Sequence, residues 1–314
     1  MIKKIIIIVL STLFISCSNN YISKENEKKF SINEIEEIDR IFLSDRNGNN
    51  ITLSKKENYW QVNEKYRVRP DAIKTLLSTV QQISIQSPVS ESSYNNVIKQ
   101  LATTGVKVEI YYNNSVKTYT VGGSTNDHLG TYMLMDNAEY PYILHILGFN
   151  GFLAPRYGIQ GYKLNINNWR DNKMFKINSE EIRKLSLYDY NENKNSFTIN
   201  CQPISLINDE SIKIKYNINE VIKYLNHFSD LGCEDFKGYD IDLTSEKLLY
   251  KLIINYNNKE DVLKAYTFSK KNMNSNNSKP NVERMYATLN DGEVMLIQNY
   301  VFNKVFISID ELKE

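Results

Sequence analysis

Histidine, cysteine, tryptophan and proline are scarce in this chain, at three, three, two and six of 314 residues. No two histidines lie at close metal-ligand spacing, and neither HExxH nor CxxC occurs, so no metal or redox motif is written in the sequence. GxSxG, SxxK and the GK[ST] of a phosphate loop are also missing, which leaves no motif for nucleophilic catalysis or a nucleotide cofactor. Excess charge of either sign is lacking. There are 38 Lys and Arg against 37 Asp and Glu, a net charge of +1. A nearly neutral chain has no global field to draw in nucleic acid, so no nucleic-acid partner is expected. No apolar run reaches the ~20 residues that span a bilayer.

What is present begins at the first residues, MIKKIIIIVLSTLFISC. Lys3 and Lys4 make a positive start. Ile5 to Ile15 run apolar apart from Ser11 and Thr12, and Ser16-Cys17 closes the stretch. That order reads as a secretory signal peptide over residues 1–16, and a small residue before Cys is where a lipoprotein is cut and acylated. Phe14 stands where Leu is usual, and the alternative is an ordinary secretory signal that happens to contain a Cys. Cys17 is therefore the expected lipidation site. Several acyl chains, palmitate among them, would hold it at a membrane, since each buried CH₂ contributes only about 0.8 kcal/mol. The expected location is the cell envelope, facing the periplasm or the exterior. Disulfides are permitted there, so Cys201 and Cys233 are either a bridge or two separately packed thiols.

Residues 17–31 are mostly polar and charged and read as a flexible tether, with folded structure expected from Ile32. Beyond it the chain repeats itself. Glu37-Ile38-x-x-Ile41-x-Leu43-x-Asp45 returns as Glu181-Ile182-x-x-Leu185-x-Leu187-x-Asp189, an offset of 182 − 38 = 144. Val106 to Asn114 returns as Tyr250 to Asn258, again 250 − 106 = 144. A period this long points to two copies of one domain, over 32–160 and 161–314, rather than a solenoid.

Each copy reads as α+β: a mostly antiparallel sheet with one or two packed helices. Ile41-Phe42-Leu43 and Ile51-Thr52-Leu53 flank an Asn47-Gly48 turn and predict a hairpin, with Tyr59 to Val62 as the next strand. Pro70 and Asp71 open a helix whose apolar stripe is Ile73, Leu76, Leu77, Val80 and Ile83. The matching helix starts at Asn217-Ile218-Asn219-Glu220, a capping-box pattern with Asn as the cap, and Gly232 fits its stop. A second helix, Ser93 to Ala102, occurs only in the first copy. Four strands follow in each: Val106–Tyr112, Lys117–Val121, Thr131–Met135 and Tyr142–Ile146, then Tyr250–Tyr256, Val262–Phe268, Arg284–Leu289 and Val294–Gln298.

Two stretches invite a functional reading. Gly122 to Tyr132, GGSTNDHLGTY, is Gly-rich enough to cradle an anion, but it links two strands and reads better as a hairpin loop. Gly148 to Gly161 is the expected junction of the copies and the default place for a pocket. His128, His145 and His227 fit ordinary packing or surface roles. The 22 Tyr fit strand propensity and an AT-rich genome as well as ligand stacking.

Gly130-Thr131-Tyr132-Met133, Tyr140-Pro141-Tyr142, Gly148-Phe149-x-Gly151-x-Leu153, Trp169-Arg170, Tyr59-Trp60-x-Val62 and the Val121-Gly122-Gly123 turn together resemble a bacterial family, the domain-of-unknown-function family 4340. The likeness covers most of residues 36 to 200 and the second copy more weakly. Members are often expected to be envelope lipoproteins, and some accompany ABC-type transport components linked to gliding systems. The resemblance implies an envelope or ABC-type transport partner and brings no catalytic residues. The expectation is a non-enzymatic, cofactor-free binding or adaptor subunit anchored through Cys17. A surface binder of glycans or peptides is the alternative, ahead of a hydrolase assembled from distant residues.

Overall fold

The structure is a computed structural model that describes residues 29–136, 138–269 and 283–314. The signal segment and Cys17 lie outside the described residues. Two compact units divide at Asp171 and Asn172.

In the first unit the strands are β1 (Ile38–Ser44), β2 (Asn50–Lys55), β3 (Trp60–Val62), β4 (Tyr66–Arg67), β5 (Ile83–Pro88), β6 (Val106–Tyr112), β7 (Ser115–Ser124), β8 (Thr131–Met135) and β9 (Tyr142–Ile146). Helix α1 (Pro70–Gln82) precedes β5 and helix α2 (Glu91–Thr104) follows it. Among the described residues the strands form one antiparallel sheet in the order β4-β3-β2-β1-β6-β7-β8-β9-β5. Alternation decides which face is core. Val106, Val108 and Ile110 of β6 are buried, whereas Lys107 and Glu109 between them are not. Opposite them on β1, Ile41 pairs with Ile110 and Leu43 with Val108. Asn113 and Asn114 take left-handed φ of 47° and 57°, which makes the tight β6–β7 hairpin that Asn tolerates well.

Helix α1 buries Ile73, Leu76 and Val80 on the core face. Its stripe ends one step earlier than the spacing implies, because Ile83 is already the first residue of β5, the far edge of the sheet. Helix α2 covers the other face, where Val97 and Leu101 meet Val89, Tyr132, Leu134 and Ile143. Gly122 allows that approach: a Cβ there would lie 2.6 Å from Leu101 Cδ2 and 2.9 Å from the Tyr132 carbonyl.

Two short strands, β10 (Ile159–Gln160) and β11 (Lys163–Leu164), close the first unit. The second contains β12 (Lys173–Phe175), β13 (Ile182–Asp189), β14 (Phe197–Cys201), β15 (Ile204–Asn208), β16 (Lys213–Ile214), β17 (Leu231–Gly232), β18 (Asp235–Gly238), β19 (Leu248–Tyr256), β20 (Lys259–Tyr266), β21 (Arg284–Leu289) and β22 (Val294–Gln298). Its helices are α3 (Ile218–Asn226) and the single turn α4 (Asn299–Phe302). The large sheet runs β16-β15-β14-β13-β19-β20-β21-β22-β18, again antiparallel and again in the same sequential pattern. Registers agree as well. Ile38 pairs with Tyr112 and Ile182 with Tyr256, and both ladders slip between the first and third residues of the leading strand.

Several expectations shift. Leu153, Tyr157, Leu164 and Trp169 pack in the first core, so residues 161–171 belong to the first unit, and Gly148 to Gly161 is part of that unit rather than a junction. Asn217 caps α3 by accepting from the Asn219 amide at 3.0 Å, but Glu220 turns to Lys223 instead of completing a box. Gly232 lies in β17 and not at the helix stop. The tether ends early, since Phe30 and Ile32 are only 2% exposed. Lys117 fastens this lead-in by donating from Nζ to the carbonyls of Lys29 and Ser31 at 2.8 and 2.6 Å.

A buried carboxylate seals the end of β1. Asp45 accepts from the Asn47 and Asn49 amides at 2.8 and 3.0 Å, from Asn49 Nδ2 at 2.8 Å, and from the distant Leu164 amide at 3.0 Å. Burial pushes its pKa up, but these hydrogen bonds outweigh that and hold it below the usual carboxylate value. Asp45→Ala is expected to lower stability by roughly 2–3 kcal/mol in urea unfolding at neutral pH. The folded pKa is depressed, so the deficit should shrink as pH falls through it, below about 4. Lys117 has the opposite sign. Burial, with the nearby charge of Lys29, pushes its pKa down to about 8. Above that pH the unfolded chain holds more protons than the folded one, up to the free-lysine value of about 10.4, so stability rises with pH across this window. Lys117→Met should flatten the rise between pH 8 and pH 10, measured against the unsubstituted chain in parallel denaturation.

Candidate functional site

The loop after β7 uses its polar groups internally. The amide of Thr125 donates to the Gly130 carbonyl at 3.0 Å, that of His128 to the Thr125 carbonyl at 3.0 Å, and that of Gly130 to Thr125 Oγ1 at 2.9 Å. Leu129 donates to the Asp127 carboxylate at 3.0 Å. A hydrogen bond from the Thr125 hydroxyl, then that of Leu129, holds Asp127 below the usual carboxylate range. Amides already bonded inside the loop, beside a carboxylate, are poorly set to bind an anion. The hairpin reading is the one the geometry supports. In the second unit the equivalent stretch is described only at its ends, where Ser269 bonds Glu246 and Arg284 forks onto Glu234 at 2.7 and 2.9 Å.

The histidines fall in separate places. His128 sits in that loop with Nδ1 3.0 Å from Ser124 Oγ, His145 lies within β9, and His227 follows α3. Burial, then the charges of Lys304 and Lys223, pushes His227 down. Among the described residues no group of three or more His, Cys, Asp or Glu is placed to hold a metal. Cys201 and Cys233 are separate thiols, not a bridge. Cys233 packs in the second core, and burial pushes the Cys201 thiol up to about 11, which keeps it protonated and unreactive at neutral pH.

Gly148 to Gly161 does contribute to a pocket, built from the first unit's own residues. About 240 Å³ in volume, it is lined by Arg69, Arg156, Gly158, Asn168 and Trp169, among others. Arg156 Nε donates to Thr79 Oγ1 at 2.7 Å, and Thr79 in turn donates to the Thr75 carbonyl. Gly158 has a φ of 69°, and a Cβ on it would meet the Trp169 indole at 2.7 Å, so both conformation and space require glycine there. Arg69 is committed to Asp71 through two hydrogen bonds. This pocket is small and its two cations are already engaged in the wall.

A larger site lies in the second unit. A groove of about 610 Å³ runs over β13, β14 and β15. Tyr188 and Tyr190 line it at 41% and 46% exposure, together with Lys184, Asn193, Asn200, Asn208 and Asp209. Its base is the second buried carboxylate. Asp189 accepts from the Asn191 and Glu192 amides at 2.8 and 3.1 Å and from Asn195 Nδ2 at 3.3 Å, while its own amide donates to Ser196 Oγ at 3.0 Å. These bonds fix the loop that presents Tyr190 and Asn193. The turn at the far wall is set by Asn208 Oδ1, which accepts from the Ile212 amide at 2.8 Å.

The groove was readable only as a contrast. Asp45 and Asp189 stand at the same repeat position, but Ser44 and Arg46 flank the first and Tyr188 and Tyr190 flank the second. Both aspartates close the leading strand of their sheet, while their exposed neighbours differ.

Residues 60–252, more than half of the chain, match the family described as "Domain of unknown function (DUF4340)". No curated protein and no solved structure matches the chain. The match takes in the first unit from β3 onward and the second unit as far as β19, including both the Asp189 turn and the groove it supports. The chain belongs to the DUF4340 family.

Proposed function

We propose that the protein is a membrane-anchored envelope lipoprotein that serves as a non-catalytic binding or adaptor subunit of an envelope or transport complex. The observation that carries this reading is the Ser16-Cys17 junction closing a basic-then-apolar leader, followed by a polar lead-in. Lipid on Cys17 would hold the units at a membrane surface. The lead-in is short and is fastened at Lys29 and Ser31 by Lys117, so the first unit would stay close to the bilayer.

We also read the two units as tandem copies of one α+β domain. The shared strand order, the shared slip in the leading strand and the paired carboxylates at positions 45 and 189 support that origin. Two copies of one scaffold suit a binding subunit, since one can keep the fold while its partner diverges on exposed faces.

Cys17→Ala in the full chain is expected to move the protein from the membrane fraction to the soluble envelope fraction on detergent-free fractionation. Unchanged retention in the membrane fraction would overturn lipid anchoring. Crosslinked recovery of the tagged chain from membranes should bring with it an envelope or transport component, and recovery of the chain alone counts against the adaptor role.

A further inference from the structure

We infer that the groove over β13–β15 binds a glycan. The inference rests on the binding role proposed above but is independent of the lipid anchor. Tyrosine supplies a flat apolar face for the C–H side of a sugar ring and a hydroxyl at its rim. Tyr188 and Tyr190, half exposed, flank Asp189 on the loop side of the groove. A sugar also presents hydroxyls that act as donors and acceptors at once, so its site needs polar groups of both kinds that are not already bonded. Lys184, Asn193 and Asp209 line the groove, and none of their side chains has a hydrogen-bond or ion-pair partner among the described residues.

The lining discriminates against other ligands. A helical peptide needs a hydrophobic groove for its apolar face and a strand-adding peptide an open sheet edge, whereas a proline-rich peptide would compete with a glycan for the same aromatic lining. Here Leu187 and Phe197 are sealed in the core at 0% and 2% exposure, which leaves Ile207 as the aliphatic group within reach. A polyanion needs a field of one sign, whereas here Lys184, with Lys251 Nζ 5.9 Å over the Tyr188 ring, stands among the carboxylates of Asp189 and Asp209. The first unit provides an internal control. Ser44 and Arg46 occupy the positions of Tyr188 and Tyr190 on a strand of the same register, so the aromatic pair is not demanded by the fold.

The test is binding of the full chain, in mild detergent, to an array of bacterial-envelope oligosaccharides that includes peptidoglycan and lipopolysaccharide fragments, with titration of the strongest probe. The expected result is saturable binding to at least one glycan, weakened ~10-fold or more by Tyr190→Ala and by Tyr188→Ala and unchanged by Arg46→Ala. Asn193→Ala, a smaller change at the same wall, should weaken it as well and covers the case in which a tyrosine variant misfolds. Absence of glycan binding, or binding indifferent to all three groove variants, overturns the inference. So does groove-dependent capture of a peptide from a parallel peptide array. The Cys17→Ala chain should bind the same glycan as the parent. Loss of anchoring therefore leaves this inference standing, and loss of glycan binding with a partner complex still recovered leaves the adaptor role standing.

Discussion

The fold depends on one long-range pairing in each unit. β1 lies against β6, and β13 against β19, in the middle of their sheets. The strands of each pair are far apart in sequence, separated by a hairpin and at least one helix, so loop-closure entropy must be met before their contacts repay it. Apolar residues repay it. Ile41, Leu43, Val108 and Ile110 are fully buried on one side of this ladder, as are Leu185, Leu187, Leu252 and Ile254 in its counterpart. A residue-level slip would turn each set to solvent, so the register is strongly specified. The carboxylates of Asp45 and Asp189 then close the leading strand of each ladder, and Asp45 also ties in the remote amide of Leu164.

With the middle of the sheet fixed, the faces can vary. The core face is covered by α1 in the first unit and by α3 in the second. The opposite face differs between them. In the first unit α2 lies over β7 and β8, admitted by Gly122. The second has no helix between β18 and β19, and its leading hairpin carries the Tyr188 and Tyr190 groove instead. These differences lie over a ladder whose strand order and register the two units share.

Much of this architecture is legible in the sequence. Alternation marks β6, short apolar runs between turn residues mark β8, β9, β21 and β22, and the Asn-Asn pairs mark the hairpins after β6 and β19. What escapes has physical reasons. β5 is an edge strand that directly follows a helix, and Ile83 extends the helical stripe of Val80 by a permitted three-residue step, so period alone favours helix there. Glycines between 148 and 161 resemble a linker by composition, although Leu153 and Tyr157 between them are fully buried. Gly122 and Gly123 look like a ligand loop until the approach of α2 explains them. The groove is hidden for another reason. Tyr is abundant throughout, so Tyr188 and Tyr190 stand out only once their repeat position is compared with Ser44 and Arg46.

Hydrogen exchange of the full chain, read by mass spectrometry at peptide resolution, tests the central claim most directly. If the paired ladders hold the units together, amides of β1, β6, β13 and β19 should be the slowest to exchange and should open with the unfolding of their own unit. Earlier exchange in β1 or β13 than in α1, α3 or the β7–β9 strands would contradict it.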